Sequence, residues 1–143
     1  IFIGGRTPSN TNVMDYIEIM TLGNALDFGD CTTTQTKGHG TGSSGTRAII
    51  VNKEIEFITI ASKGNGVEFG MDLFTGQYHQ GGGSTGTRAV WSGGYQVDPN
   101  QHVNNIDFFQ MNSTGNAQDF GDLMRAVSLN TSCCDSHGGL GGI

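Results

Sequence analysis

The chain has 143 residues, 24 of them glycine and 2 proline, with 14% charged residues and a net charge of −6. Glycine at 24 of 143 is about 17%, against a usual ~7%, and charged residues fall well below the usual ~25%, which excludes a coiled coil or a charge-rich disordered tail. Negative charge argues against electrostatic binding to nucleic acid or an anionic membrane, and apolar residues at 35% are too scattered for membrane insertion by a helix of ~20 apolar residues.

The first predicted element is already part of a strand. Ile1-Phe2-Ile3-Gly4-Gly5 matches Val90-Trp91-Ser92-Gly93-Gly94, so the chain is expected to open inside a repeat. Ile rather than Met at position 1 fits a processed or truncated product. Next comes Met14-Asp15-Tyr16-Ile17-Glu18-Ile19, which recurs as Ile55-Glu56-Phe57-Ile58-Thr59-Ile60 and Ile106-Asp107-Phe108-Phe109-Gln110-Met111. The period is two, with Asp15, Ile17 and Ile19 on one face and Met14, Tyr16 and Glu18 on the other. Each strand is followed by a Gly-Asn pair (Gly23-Asn24, Gly64-Asn65, Gly115-Asn116), which suits a turn with positive φ. An acidic-Phe-Gly triplet comes next: Asp27-Phe28-Gly29, Glu68-Phe69-Gly70, Asp119-Phe120-Gly121. These Phe and Gly residues are the structural signature of the repeat.

Glycine- and serine-rich runs at 38–45 and 81–86 read as connecting loops. Gly45-Thr46-Arg47 and Gly86-Thr87-Arg88 then lead into short buried strands, Ala48-Ile49-Ile50-Val51 and Arg88-Ala89-Val90-Trp91; Asp135-Ser136-His137 holds the similar place in the third repeat. Ten extra residues at 93–102 lengthen the last repeat. No window shows a helical stripe. The expected fold is all-β: a single repeat domain over 1–143, with units near 1–47, 48–88 and 89–143. Each unit would be a propeller-type blade of about four strands. Three blades cannot close a ring, so missing blades or another chain would complete it, two chains making six blades for instance. The alternative is a β-trefoil or β-prism with internal threefold repetition.

The Gly-Gly that closes a strand, followed by a loop and an acidic-aromatic strand (Gly93-Gly94 … Ile106-Asp107-Phe108), resembles Kelch-type propeller repeats. The run Thr114-Gly115-Asn116-Ala117-Gln118-Asp119-Phe120-Gly121-Asp122-Leu123 looks like repeats of virion-associated proteins of marine bacteriophages, cyanophages especially. The second unit departs from the pattern at Gly66, Glu68 and Met71, and Phe28, Phe69 and Phe120 stand where a Kelch blade carries Trp. The resemblance implies a non-enzymatic structural protein of the virion, in assembly or host attachment. Its partners would be other virion proteins, copies of itself or a cell-surface glycan. A lectin-like carbohydrate-binding module is the alternative.

Chemical motifs are sparse. The recurring Asp-Phe-Gly triplet lacks the companion loops of a kinase and reads as a core Phe before a turn glycine. Gly40-Thr41-Gly42-Ser43-Ser44-Gly45 and Gly81-Gly82-Gly83-Ser84-Thr85-Gly86 spell a dinucleotide fingerprint, but strands rather than helices follow them. Asp27, Asp30, Asp119 and Asp122 could supply part of a Ca²⁺ shell, with Asp72 in the middle repeat; such residues more often cap turns. No other cofactor and no other metal is expected. Cys133-Cys134-Asp135-Ser136-His137 lacks zinc spacing, and His39, His79, His102 and His137 form no catalytic pattern. Three cysteines leave open a Cys31–Cys133 bridge, an intermolecular bridge or free thiols. Arg47 and Arg88 read as a repeated anion or glycan site, or as structural partners of Asp15, Glu56 and Asp107. Trp91 and Tyr95 are the candidate surface contacts, although Trp91 also suits the core.

Overall fold

The computed structural model describes residues 1–35, 40–51, 55–71, 77–78 and 80–134. His39, His79, Asp72 and the triplet Asp135-Ser136-His137 lie outside them. The described residues contain strands and no helix. In chain order the strands are β1 (Phe2–Arg6), β2 (Asn10–Tyr16), β3 (Leu26–Gln35), β4 (Gly40–Ser43), β5 (Arg47–Val51), β6 (Ile55–Thr59) and β7 (Val67–Gly70), then β8 (Gln77–Tyr78), β9 (Gly81–Ser84), β10 (Arg88–Ser92), β11 (Tyr95–Gln96), β12 (Gln101–His102), β13 (Asn105–Gln110) and β14 (Gln118–Asp122).

They form antiparallel meanders. The first sheet runs β1-β2-β3, the second β4-β5-β6-β7 and the third β9-β10-β13-β14. The extra residues of the third repeat make the hairpin β11-β12, which pairs with β8 in a separate small sheet. The same bulge recurs in all three sheets, between Met14 and Asp15, Ile55 and Glu56, and Ile106 and Asp107, opposite the acidic-Phe-Gly triplet. Gly4-Gly5 and Gly93-Gly94 share positive φ values, 62° and 128° against 62° and 120°, so both pairs adopt a backbone that other residues avoid. This supports the equivalence of β1 and β10. The unit boundaries expected at 47/48 and 88/89 fall inside β5 and β10, because each four-stranded sheet begins one strand earlier.

That earlier strand corrects the reading of the glycine runs. Residues 40–43 and 81–84 are the strands β4 and β9, not loops. Strand propensity disfavours glycine, but tertiary contact requires it here. A Cβ on Gly42 would stand 2.6 Å from the Ala89 Cβ, and one on Gly82 would stand 2.5 Å from the Thr41 backbone nitrogen. β4 and β9 approach so closely that a methyl group has no place.

Apolar side chains meet between successive sheets. Met14, Phe28 and Cys31 of the first sheet pack with Ile50 and Ile58 of the second. Ile49, Val51, Ile55 and Phe69 of the second pack with Ala89, Trp91 and Phe109 of the third, joined by Met111 and Ala117. Each fully buried side chain of this size contributes roughly 1.5–3 kcal/mol. Neither cluster joins the first sheet to the third. The alternation expected through Ile19 stops earlier. β2 ends at Tyr16, and Ile17 and Ile19 are 42% and 90% exposed, since no described sheet lies against that face.

Candidate functional site

The recurring residues converge on the contacts between sheets. At the first junction the turn of the second repeat reaches the bulge of the first. Gly64 N donates to Phe28 O (2.8 Å), Gly66 N to Asp30 O (2.8 Å), and Asp30 N donates back to Asn65 Oδ1 (3.1 Å). The second junction repeats the arrangement. Gly115 N donates to Phe69 O (3.2 Å), Ala117 N to Met71 O (2.9 Å), and Met71 N to Asn116 Oδ1 (3.1 Å). The Gly-Asn pair is thus more than a turn; together with the residue after it, it forms a three-bond clamp on the preceding repeat. Glycine is needed opposite it, because a Cβ on Gly29 would lie 2.5 Å from Gly64 O and one on Gly70 2.0 Å from Gly115 O.

Side chains complete the junctions. The buried Glu56 accepts from Thr32 N through Oε2 (2.8 Å). Lys63 lies over the Tyr16 ring, 4.0 Å from its centroid, and bonds the Tyr16 hydroxyl. Ser84 Oγ accepts from Ser43 N and donates to Ser43 O, each at 2.8 Å, tying β9 to β4.

A cavity of about 810 Å³ opens beside the first junction. Its apolar wall includes Ile3, Tyr16, Ile17, Phe28, Ala48 and Ile60; the glycine-rich strands β4 and β9 and residues Ser132, Cys133 and Cys134 also line it, with Glu18 and Lys63 as its charged groups. Among the described residues no group of three or more His, Cys, Asp or Glu side chains is placed to hold a metal ion.

The predicted site residues are placed apart. Trp91 is a core residue, 1% exposed and stacked on Phe109 at 4.5 Å, so it cannot serve as a surface contact. Register decides this: Trp91 pairs with Asp107 on the face that the second sheet covers. Tyr95 is half-buried in the insert, edge-on to His102 at 5.4 Å. Arg47 lies over Phe57 (4.7 Å) and donates to Met111 O (3.3 Å), while Arg88 lies over Phe108 (4.8 Å). The acids expected to pair with them point the other way. Glu56 stands opposite Ile50 and Asp107 opposite Trp91, one residue out of phase with the arginines. Asp27 and Asp119 accept from the amides of Gly29 (3.1 Å) and Gly121 (3.0 Å) across the bulge, while Asp30 and Asp122 are exposed. Cys31 is buried and Cys133 exposed, and the Cys31–Cys133 bridge is absent. Phe28 and Phe69 are buried as expected of a repeat signature, but Phe120 is 57% exposed.

Sequence reasoning missed Asn65, Asn116 and Glu56 as junction residues. The recurrence of Asn after Gly was the available signal, but a turn explains it equally well. Compared with protein-family models and with curated proteins, the chain matches none.

Proposed function

We propose that the chain is a non-enzymatic repeat scaffold of propeller-type blades, acting as a structural or contact component of a bacteriophage virion. The observation that carries this reading is the clamp: the residues that recur hold one repeat to the next instead of converging on a reactive centre. The phage assignment rests on the likeness of residues 114–123 to virion-associated repeats. A low-charge surface rich in glycine, threonine and asparagine suits hydrogen-bonded contact with other particle proteins or with a host glycan. The lectin alternative asks for an exposed aromatic at the same point of each repeat, and the recurring aromatics Phe28 and Phe69 are buried.

A protein inventory of purified particles from the genome that encodes the chain tests the proposal. Expected is a fixed copy number that survives salt washing. Presence in the infected lysate without any in the particles overturns it.

A further inference from the structure

The described residues contain one kind of junction twice and, on the open faces of the first and third sheets, the separated halves of a third. The register identifies equivalent positions. Phe2 pairs with Asp15 as Ile50 pairs with Glu56 and Trp91 with Asp107. Ile50 and Trp91 are covered by the adjoining sheet and are 0% and 1% exposed; Phe2 is 59% exposed. In the next strand Ile58 and Phe109 are 1% exposed, whereas Ile17 is 42%. Met111 is fully buried and its counterpart Ile19 is 90% exposed.

At the other end Phe120 follows the same rule, at 57% against 5% for Phe28 and 3% for Phe69. A Cβ on Gly121 would meet nothing within 4 Å, although the same test at Gly29 and Gly70 strikes the clamp of the following repeat. The open face is nonetheless already shaped. Phe120 meets Phe108 edge-on at 6.1 Å and 82°, matching Tyr16–Phe28 (6.1 Å, 78°) and Phe57–Phe69 (5.9 Å, 75°). Arg88 covers Phe108 as Arg47 covers Phe57.

We infer that the exposed face of the first sheet in one copy docks on the exposed face of the third sheet in another, repeating the internal junction between molecules. Gly23, Asn24 and Ala25 of one copy would clamp Phe120 and Asp122 of the next, and Phe2, Ile17 and Ile19 would cover Phe120. The occupant is a second copy because its surface is the one already fitted to this face twice within the chain. Such a contact is head-to-tail, and so closes into a ring or extends. It rests on the scaffold reading and names the partner, but it is measured without any particle, so either can fail alone.

The test is sedimentation velocity on the 143-residue chain and on two variants at exposed positions, Phe120→Asp and Ile19→Asp, with circular dichroism to verify folding. The wild-type chain is expected to associate with rising concentration, and each variant to lose association by about tenfold or more, equivalent to roughly 1.4 kcal/mol. Mixed one to one, the variants should form a dimer and nothing larger, because each retains the half the other lacks. A chain monomeric up to about 1 mM, where only some −4 kcal/mol of binding would be needed, overturns the inference. So does an association sensitive to one variant and indifferent to the other, the mark of a two-fold contact.

Discussion

The second sheet and the third sheet have the same strand order and the same bulge, yet their Phe-Gly corners live in different surroundings. Phe69 is 3% exposed, wedged between Phe57 and Phe109, with its carbonyl clamped by Gly115 N. Phe120 makes the equivalent ring contact within its own sheet and is 57% exposed. Local sequence is therefore sufficient to build the corner, while only a following repeat buries it. The shape of the corner and the stability it contributes are separable.

Large-to-small substitution should expose that separation most clearly. Trp91→Ala, which empties the second junction, is expected to lower unfolding free energy by about 3–5 kcal/mol, whereas Phe120→Ala in dilute solution should cost about 1 kcal/mol or less. Urea unfolding followed by fluorescence or circular dichroism measures both; equal losses would erase the distinction between covered and open faces. Next in size is the glycine contrast. Gly82→Ala drives a methyl group into the Thr41 backbone and should cost about 1–3 kcal/mol. Gly45→Ala points into open space and should be neutral or stabilising by up to about 1 kcal/mol, read as a rise in Tm.

The clamp gives a smaller difference. Asn116→Ala removes the acceptor for Met71 N and should cost about 1 kcal/mol, while Asn24→Ala should leave the dilute chain unchanged. The smallest effect is kinetic. Cys133 should react with a thiol reagent at once in the native protein, and Cys31, buried in the first junction, only as the structure opens. Mass spectrometry of the labelled chain resolves the two, and equally rapid labelling would place the first junction among the loose parts of the molecule.

Much of the fold was legible because its signals are local. The three-fold recurrence of an apolar strand, Gly-Asn and acidic-Phe-Gly marked β2, β6 and β13 and the bulged strands that follow them. The apolar runs at 48–51 and 55–60 marked β5 and β6 as strands, and the ten-residue insertion in the third repeat was placed where β11 and β12 lie. The junction was far less legible. Gly40, Gly42 and Gly82 look like loop residues until a neighbouring strand is seen at their Cα atoms. Arg47 and Glu56 look like partners until the register sets them on opposite faces. Trp91 looks like a contact residue until a sheet is laid over it.

For this chain the order of residues alone determined a repeated antiparallel meander, since turn glycines, bulge carboxylates and a two-residue period act within one repeat. Which copy of each motif is buried was decided only in three dimensions. Burial depends on what stands against a face, and identical corners at Phe69 and Phe120 differ because a third sheet packs against one and no described sheet packs against the other.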